Sequence, residues 1–298
     1  MKILLLGAHG QLGVELSKVL PELGELIELS RNELDLSALD ELRHLLSLIK
    51  PDLIVNASAY TAVDKAETEI EMAFLINAAV PKILAEYAKE NNAILVHYST
   101  DYVFDGRKTS PYEENDQPNP LCIYGASKLK GEQNIIISGC KHLTFRTSWL
   151  FSAKGQNFLT TILKLAKDKD ELRVIDDQWG APTSCNWLAE TTVKALRICL
   201  NNYAPPPWGI YHASSNGIFS WFEYARHIVH EATSLDIKLK IKIDRVFPIK
   251  SIDYKQSAAR PRFSVLSNSK IKNVFLIKND DSLEYIKKEL KNYLDINP

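Results

Sequence analysis

Residues 3–20 read ILLLGAHGQLGVELSKVL: Ile3-Leu4-Leu5-Leu6, then Gly7-Ala8-His9-Gly10-Gln11-Leu12-Gly13, then a stretch with helical spacing. Four consecutive apolar residues suit a strand buried on both faces. The glycine turn follows it at once, and a helix is expected over residues 11–20. Glycine allows a tight turn and lets the backbone approach a pyrophosphate closely. The helix N-terminus that follows offers N–H groups and the positive end of a dipole to phosphates. In isolation this could be an ordinary strand-to-helix turn. Its place directly after the first strand favours dinucleotide binding, with Gly7, Gly10 and Gly13 as the turn.

Further along, short apolar runs alternate with helix-period stretches. Strands are expected at residues 26–29, 53–56 (introduced by Pro51-Asp52) and 94–98. Helices are expected at 39–49 and 69–91, the latter broken near Pro81. This βαβα order predicts an α/β fold with a doubly wound parallel sheet of the Rossmann type. After Trp149 the rhythm loosens. Helices are expected at 157–166, 188–200 and 221–232, the last with Ser220 as N-cap. Residues 203–207 read as a proline-rich turn. Residues 238–245 alternate basic and apolar side chains and read as a lysine-protected edge strand. The expected division is an NADP(H)-binding domain at 1–150. A smaller α/β substrate domain at 151–298 follows, some of its elements returning to the main sheet.

The formal net charge of −1 over 298 residues provides no global field to recruit nucleic acid or an anionic membrane. No apolar run approaches the roughly 20 residues that cross a bilayer. The four cysteines (Cys122, Cys140, Cys185, Cys199) form no C-x-x-C pair and suit a reducing compartment, so a cytoplasmic protein is expected.

The residue after the second strand separates NAD from NADP. An NAD site places a carboxylate there for the ribose 2′-hydroxyl. This chain has Ser30-Arg31 instead. An arginine favours a 2′-phosphate through charge-assisted hydrogen bonds. NADPH is the expected cofactor, with NADH as the second candidate. A solvated loop arginine is the rival reading of Arg31. Asp35-Leu36 is placed to border the adenine.

Tyr124-Gly125-Ala126-Ser127-Lys128 is a Y-x-x-x-K motif. On a helix, positions i and i+4 share a face, so phenol and ammonium can converge on one ligand. Carbonyl reduction delivers a hydride to carbon and a proton to oxygen, and the phenol can provide the proton. The lysine charge is expected to lower the tyrosine pKa by roughly two units from about 10. By itself the motif is common on exposed helices. Here Val96-His97-Tyr98-Ser99-Thr100-Asp101-Tyr102 precedes it at a strand end. Thr100 can donate a hydrogen bond to a substrate carbonyl oxygen.

These motifs together resemble the dTDP-4-dehydrorhamnose reductase family of the extended short-chain dehydrogenases, whose glycine spacing is also similar. The residues that carry the resemblance are Gly7-x-x-Gly10-x-x-Gly13, Val55-Asn56-Ala57, Thr61-Ala62-Val63-Asp64-Lys65-Ala66-Glu67, Ser99-Thr100-Asp101-Tyr102-Val103-Phe104, Tyr124-Gly125-x-x-Lys128 and Arg146-Thr147-Ser148-Trp149. It continues through Asp177-Gln178-Trp179-Gly180-Ala181-Pro182-Thr183 and Arg260-Pro261. The resemblance implies NAD(P)H-dependent reduction at C4 of dTDP-4-dehydro-β-L-rhamnose. It implies Thr100, Tyr124 and Lys128 as the catalytic trio, and Gly10, Gln11 and Leu12 at the pyrophosphate. Ala59, Tyr60, Thr61 and Tyr98 would line the cofactor. Thr100, Asp101 and Trp149 would touch the sugar, and Arg260 would meet a substrate phosphate or form a structural salt bridge.

Some relatives resemble metal-bridged dimers. Glu15 is present, but Asn186 stands where a second acid is expected, so no metal is expected while a homodimer stays open. His227-x-x-His230 reads as a helix surface. Two rivals remain: a nucleotide-sugar epimerase or dehydratase, and a non-catalytic NADP-binding regulatory subunit. A dehydratase carries Asp-Glu after the threonine, where this chain has Asp101-Tyr102.

Overall fold

The computed structural model describes residues 1–201, 205–278 and 281–296. Its strands are β1 (Lys2–Leu6), β2 (Glu25–Leu29), β3 (Leu53–Asn56), β4 (Ile94–Thr100), β5 (Lys141–Thr147), β6 (Leu150–Phe151), β7 (Leu172–Ile175), β8 (Trp179–Gly180), β9 (Thr183–Ser184), β10 (Gly209–His212), β11 (Phe219–Ser220) and β12 (Val246–Ile249). Its helices are α1 (Gln11–Val19), α2 (Leu39–Ile49), α3 (Val63–Ala66), α4 (Ile70–Phe74), α5 (Val80–Glu90), α6 (Ile123–Ser138), α7 (Phe158–Asp168), α8 (Cys185–Leu200), α9 (Trp221–Ser234), α10 (Ser269–Phe275) and α11 (Ser282–Ile296).

The main sheet has the order β10-β5-β4-β3-β1-β2, with every pair parallel. The apolar runs explain it. Ile3, Leu4, Leu5 and Leu6 are all buried, as are Leu53, Ile54 and Val55. Strands with no polar face must be covered on both sides, which a parallel sheet under helices provides. Side chains of α1 and α8 cover one face, and side chains of α2 and α5 the other. Chain order reverses between β1 and β3. Their carboxyl ends therefore open a crevice, the place where such sheets bind ligands.

Residues beyond 150 contribute to both layers. β10 extends the main sheet beside β5, and α8 packs against α1. A second core joins α7, α9 and α11 with β7 and β12. Two side-chain caps hold its helices. Asn157 and Ser220 each accept an N3 backbone N–H, and both helices carry a capping box.

One expectation needs correction. Residues 238–245 are not a strand. Ile237 and Ile241 are buried in the second core, while the N–H groups of Lys240 and Ile241 donate to the Ala166 carbonyl at the end of α7. The backbone thus turns onto a helix end, and pairing starts only at β12. The stretch at 69–91 is helical with its break just before Pro81, as expected: α4, a π-turn over Leu75–Ala79, and α5, which restarts with Pro81 in its first turn. Pro81 lacks the N–H that would bond the Asn77 carbonyl. Gly131 of α6 packs against that carbonyl, where a Cβ would come within 2.2 Å. Of the expected turn at 203–207, residues 203 and 204 lie outside the described residues.

Two close approaches fix the glycine turn. Gly7 has φ +81°, which favours glycine. A Cβ on Gly13 would come 2.1 Å from the Gly7 carbonyl oxygen. Gly13→Ala should therefore push α1 off β1 and destabilise the protein by about 1–3 kcal/mol. Thermal melting checks this, with the melting temperature expected to drop by several degrees.

Across the molecule, Asp64 in α3 holds residues 257–260. It accepts N–H bonds from Ser257 (2.9 Å) and Ala258 (3.0 Å), and pairs with Arg260 at 2.6 Å. The hydrogen bond to Arg260 is the main cause that lowers its carboxyl to about 2. A depressed carboxylate contributes stability above its unfolded pKa and loses it as pH falls through the folded one. Asp64 is half-exposed, so Asp64→Asn should cost only about 1 kcal/mol at pH 7. The difference from the unaltered protein should vanish between pH 4 and 2 in acid-unfolding curves.

Candidate active site

A cleft of about 1180 Å³ runs along the carboxyl ends of β1, β2, β3 and β4. Gly7, Gly10, Gln11 and Leu12 line it at the glycine turn. Ser30, Arg31, Asp35 and Leu36 line its end at β2. Ala59, Tyr60 and Thr61 line it after β3, and Tyr98, Thr100, Asp101, Tyr124, Lys128 and Trp149 line it beyond β4. Two expected residues are not on its wall. Gly13 sits behind the turn as a packing glycine. Arg260 is turned onto Asp64, Gln256 and the Ala258 carbonyl, the salt-bridge alternative of its reading.

The turn end suits a dinucleotide. Gly10 caps α1 without a side chain, so no cap oxygen competes for the first-turn N–H groups. A Cβ on Gly10 would meet only the Gly7 carbonyl oxygen, at 3.2 Å, and would otherwise fill the cleft. The exposed Arg31 brings a cation to the wall at the end of β2. These residues fit a phosphate-bearing dinucleotide. Gln11 has a second engagement that sequence reading missed. Its Oε1 accepts from Asn157 Nδ2 at 2.8 Å, and its Nε2 donates to the Gln156 carbonyl at 3.2 Å. Residues 154–157 are thereby tied over the turn, and all four line the cleft. The Asn157 cap was the signal that could have pointed to them. Ser30 gives its N–H to Glu33 at 2.8 Å and its hydroxyl to the same carboxylate, so of the Ser30-Arg31 pair it is Arg31 that offers a free donor to the wall.

The end of the cleft that holds Thr100, Tyr124 and Lys128 is built from β4 and α6. Lys128 is buried, and its Nζ donates to the Tyr98 carbonyl at 2.6 Å. Burial pulls its pKa down to about 8, against which the Glu132 carboxylate acts. Tyr124 is half-buried at the cleft. Burial raises its phenol pKa above the ordinary value, opposed by a hydrogen bond with Thr100. This corrects the expectation of a lowered phenol: the cost of desolvating the phenolate outweighs what its neighbours offer. Thr100 also caps the short turn after β4, accepting from the Tyr102 N–H at 3.2 Å while its hydroxyl donates to Asp101 at 3.0 Å. Asp101 is buried with Oδ2 unpaired, and desolvation pushes its carboxyl up to about 6.

The Tyr98 hydroxyl pairs with Thr192 at 2.9 Å, anchoring β4 to α8. Trp149 has φ +44° and stacks on Trp221, with centroids 3.4 Å apart. Gly180 makes room for its indole, since a Cβ there would come within 2.4 Å of it. The indole is thus both packed and part of the cleft wall. Asn77 is another residue without a sequence signal. It grips Tyr60 through both backbone groups, at 2.9 and 3.0 Å, and reaches Ser127 at 3.0 Å. Of the residues weighed for a metal, Glu15 pairs with Lys18 at 2.6 Å and Asn186 accepts from Lys288 at 2.7 Å.

The family model described as RmlD substrate binding domain matches residues 1–295. The chain is 43% identical to a dTDP-4-dehydrorhamnose reductase of Burkholderia thailandensis over 283 residues, 94% of this chain and 95% of the relative. It is 42% identical to the Escherichia coli K12 dTDP-4-dehydrorhamnose reductase, covering 93% of each chain. Among solved structures, the Bacillus anthracis dTDP-4-dehydrorhamnose reductase in complex with NADP superposes with a TM-score of 0.89 at 32% identity. The match covers 98% of this chain and 99% of that one. On fold, cleft and sequence alike, the chain belongs to the RmlD substrate binding domain family.

Proposed function

We propose that this protein reduces the C4 keto group of dTDP-4-dehydro-β-L-rhamnose with NADPH, giving dTDP-L-rhamnose. One observation carries the reading. Thr100, Tyr124 and Lys128 line the same cleft as the glycine turn, in a chain 43% identical to a relative of that activity. Residues 1–150 hold the cofactor and bring Thr100, Asp101 and Trp149 to the sugar, and Ser152 with residues 154–157 closes the wall from the second part of the chain. Four buried free thiols fit a reducing cytoplasm. Among the described residues no helix is long and apolar enough to cross a membrane.

When bound, NADPH supplies the hydride that adds to C4. With the sugar in place, the Thr100 hydroxyl would turn from Asp101 Oδ1 to donate its one hydrogen bond to the carbonyl oxygen and fix its direction. As the C=O electron pair moves to oxygen, that oxygen takes the Tyr124 proton. Reduction needs the phenol protonated, and burial keeps it so at neutral pH. Lys128 holds its place against β4 through the Tyr98 carbonyl, with its side chain on the cleft wall beside Tyr124. Asp101 lines the cleft beside Thr100 and would meet a sugar hydroxyl there. Arg31 would take the 2′-phosphate.

The test follows NADPH absorbance while the protein receives dTDP-4-dehydro-6-deoxyglucose together with a 3,5-epimerase. Oxidation that needs both supports the reading. No oxidation despite NADPH binding contradicts it and favours the regulatory-subunit rival. Tyr124→Phe should lower kcat by about 10²–10⁴-fold with NADPH affinity unchanged, as read by kinetics and fluorescence titration. Arg31→Ala should weaken NADPH by roughly tenfold, a loss of about 1.4 kcal/mol, and leave NADH nearly unaffected. Equal losses for the two cofactors would remove Arg31 from the 2′-phosphate.

A further inference from the structure

Tyr124, Lys128 and Glu132 are spaced by four residues and share one face of α6. That face meets three consecutive residues of β4. Tyr124 meets Thr100, Lys128 donates to the Tyr98 carbonyl at 2.6 Å, and Glu132 accepts the Ser99 hydroxyl. Glu132 is also gripped by Arg146 of β5, whose Nε and Nη2 donate at 3.0 and 2.7 Å. Arg146 is the sheet partner of Ser99, and its side chain and that of Glu132 are 4% and 1% exposed.

We propose that Glu132 is a positioning residue of the reduction, the third rung that locks α6 onto β4 and the fixed anion that keeps Lys128 charged. The inference rests on the reading of the chain as a reductase. A buried ion pair adds little net stability, because desolvation offsets the attraction. Its place one turn beyond Lys128, bonded to the residue before Thr100, is a reason to keep it that stability does not supply.

The charge argument has a definite sign. Burial opposes the Lys128 ammonium and the Glu132 carboxylate supports it. The other groups around Lys128 do not replace that carboxylate. His97 of β4, 3.4 Å away, is driven neutral by burial and by Lys128 itself. Tyr124 and Tyr98 are phenols whose pKa values are raised. Asp101, on the turn after β4, is engaged with Thr100. Asn77 and Ser127, on the side of the π-turn, carry no charge. Arg146 stands behind Glu132 as a cation. Removing the Glu132 charge leaves Arg146 unbalanced and favours neutral Lys128. Removing Arg146 frees the Glu132 charge and favours the ammonium.

The experiment titrates Lys128 by NMR in protein carrying ¹⁵N-labelled lysine, identifying the resonance as the one lost in Lys128→Arg. The pH profile of kcat/KM is measured in parallel, and thermal melts confirm folding. Glu132→Gln should move the Lys128 midpoint, about 8 in the unaltered protein, down by about one unit. Arg146→Gln should move it up. The alkaline limb of kcat/KM should follow each shift. Ser99→Ala, which changes no charge, should lower kcat with the midpoint unmoved, and carries the positioning claim if Glu132→Gln does not fold. Midpoints that stay fixed, or move the same way in both charge variants, would overturn the proposal. The NMR readout needs neither cofactor nor sugar, so failure of the assigned reaction would show separately, as absent turnover beside normal titrations.

Discussion

The structure depends on a place where side chains are missing. α1 can lie against the end of β1 only because Gly13 presents nothing to the Gly7 carbonyl, a Cβ there falling 2.1 Å from that oxygen. Gly7 in turn takes a positive φ that lets the chain leave β1 sharply. That approach sets the first turn of α1 at the sheet's carboxyl edge, where chain order reverses and a crevice must open. The wide cleft, the cradle for phosphates and the position of β4 across from it all follow.

At the other end of the cleft, burial sets the chemistry. It raises the Tyr124 phenol and lowers the Lys128 ammonium to about 8, so the two pKa values move in opposite directions, each toward the neutral form. A phenol that holds its proton is the form a reduction consumes. An ammonium near its limit must be held by neighbours, and the Tyr98 carbonyl and Glu132 do this from β4 and α6. The face of α6 that carries Tyr124 and Lys128 is therefore a ladder onto one strand, with the Glu132–Arg146 ion pair at its far end.

Much of this was legible in the sequence. The apolar runs at residues 3–6 and 53–56 could only be covered strands, and the glycine turn between strand and helix named the crevice. Thr100, Tyr124 and Lys128 were visible because strand-end and i,i+4 spacings are local. What escaped was non-local. The Asn77 grip on Tyr60 arises from a π-turn that depends on both Pro81 and Gly131 of another helix. The tie between Gln11 and residues 154–157 joins segments about 145 positions apart. Arg260 matched a motif, but its partner Asp64 lies 196 positions earlier. At 238–245 the alternation was real, yet the carbonyl of Ala166 captured the backbone before it could pair as a strand.

The central claim is that one cleft brings a nicotinamide and a C4 keto group together beside Tyr124. It is tested most directly by reduction with NADPH carrying deuterium at the transferable C4 position, followed by NMR of the sugar. Deuterium at C4 of a dTDP-6-deoxyhexose, with one nicotinamide oxidised per sugar reduced, is the result this account predicts. Product without deuterium at that carbon, or deuterium elsewhere on the ring, would contradict it.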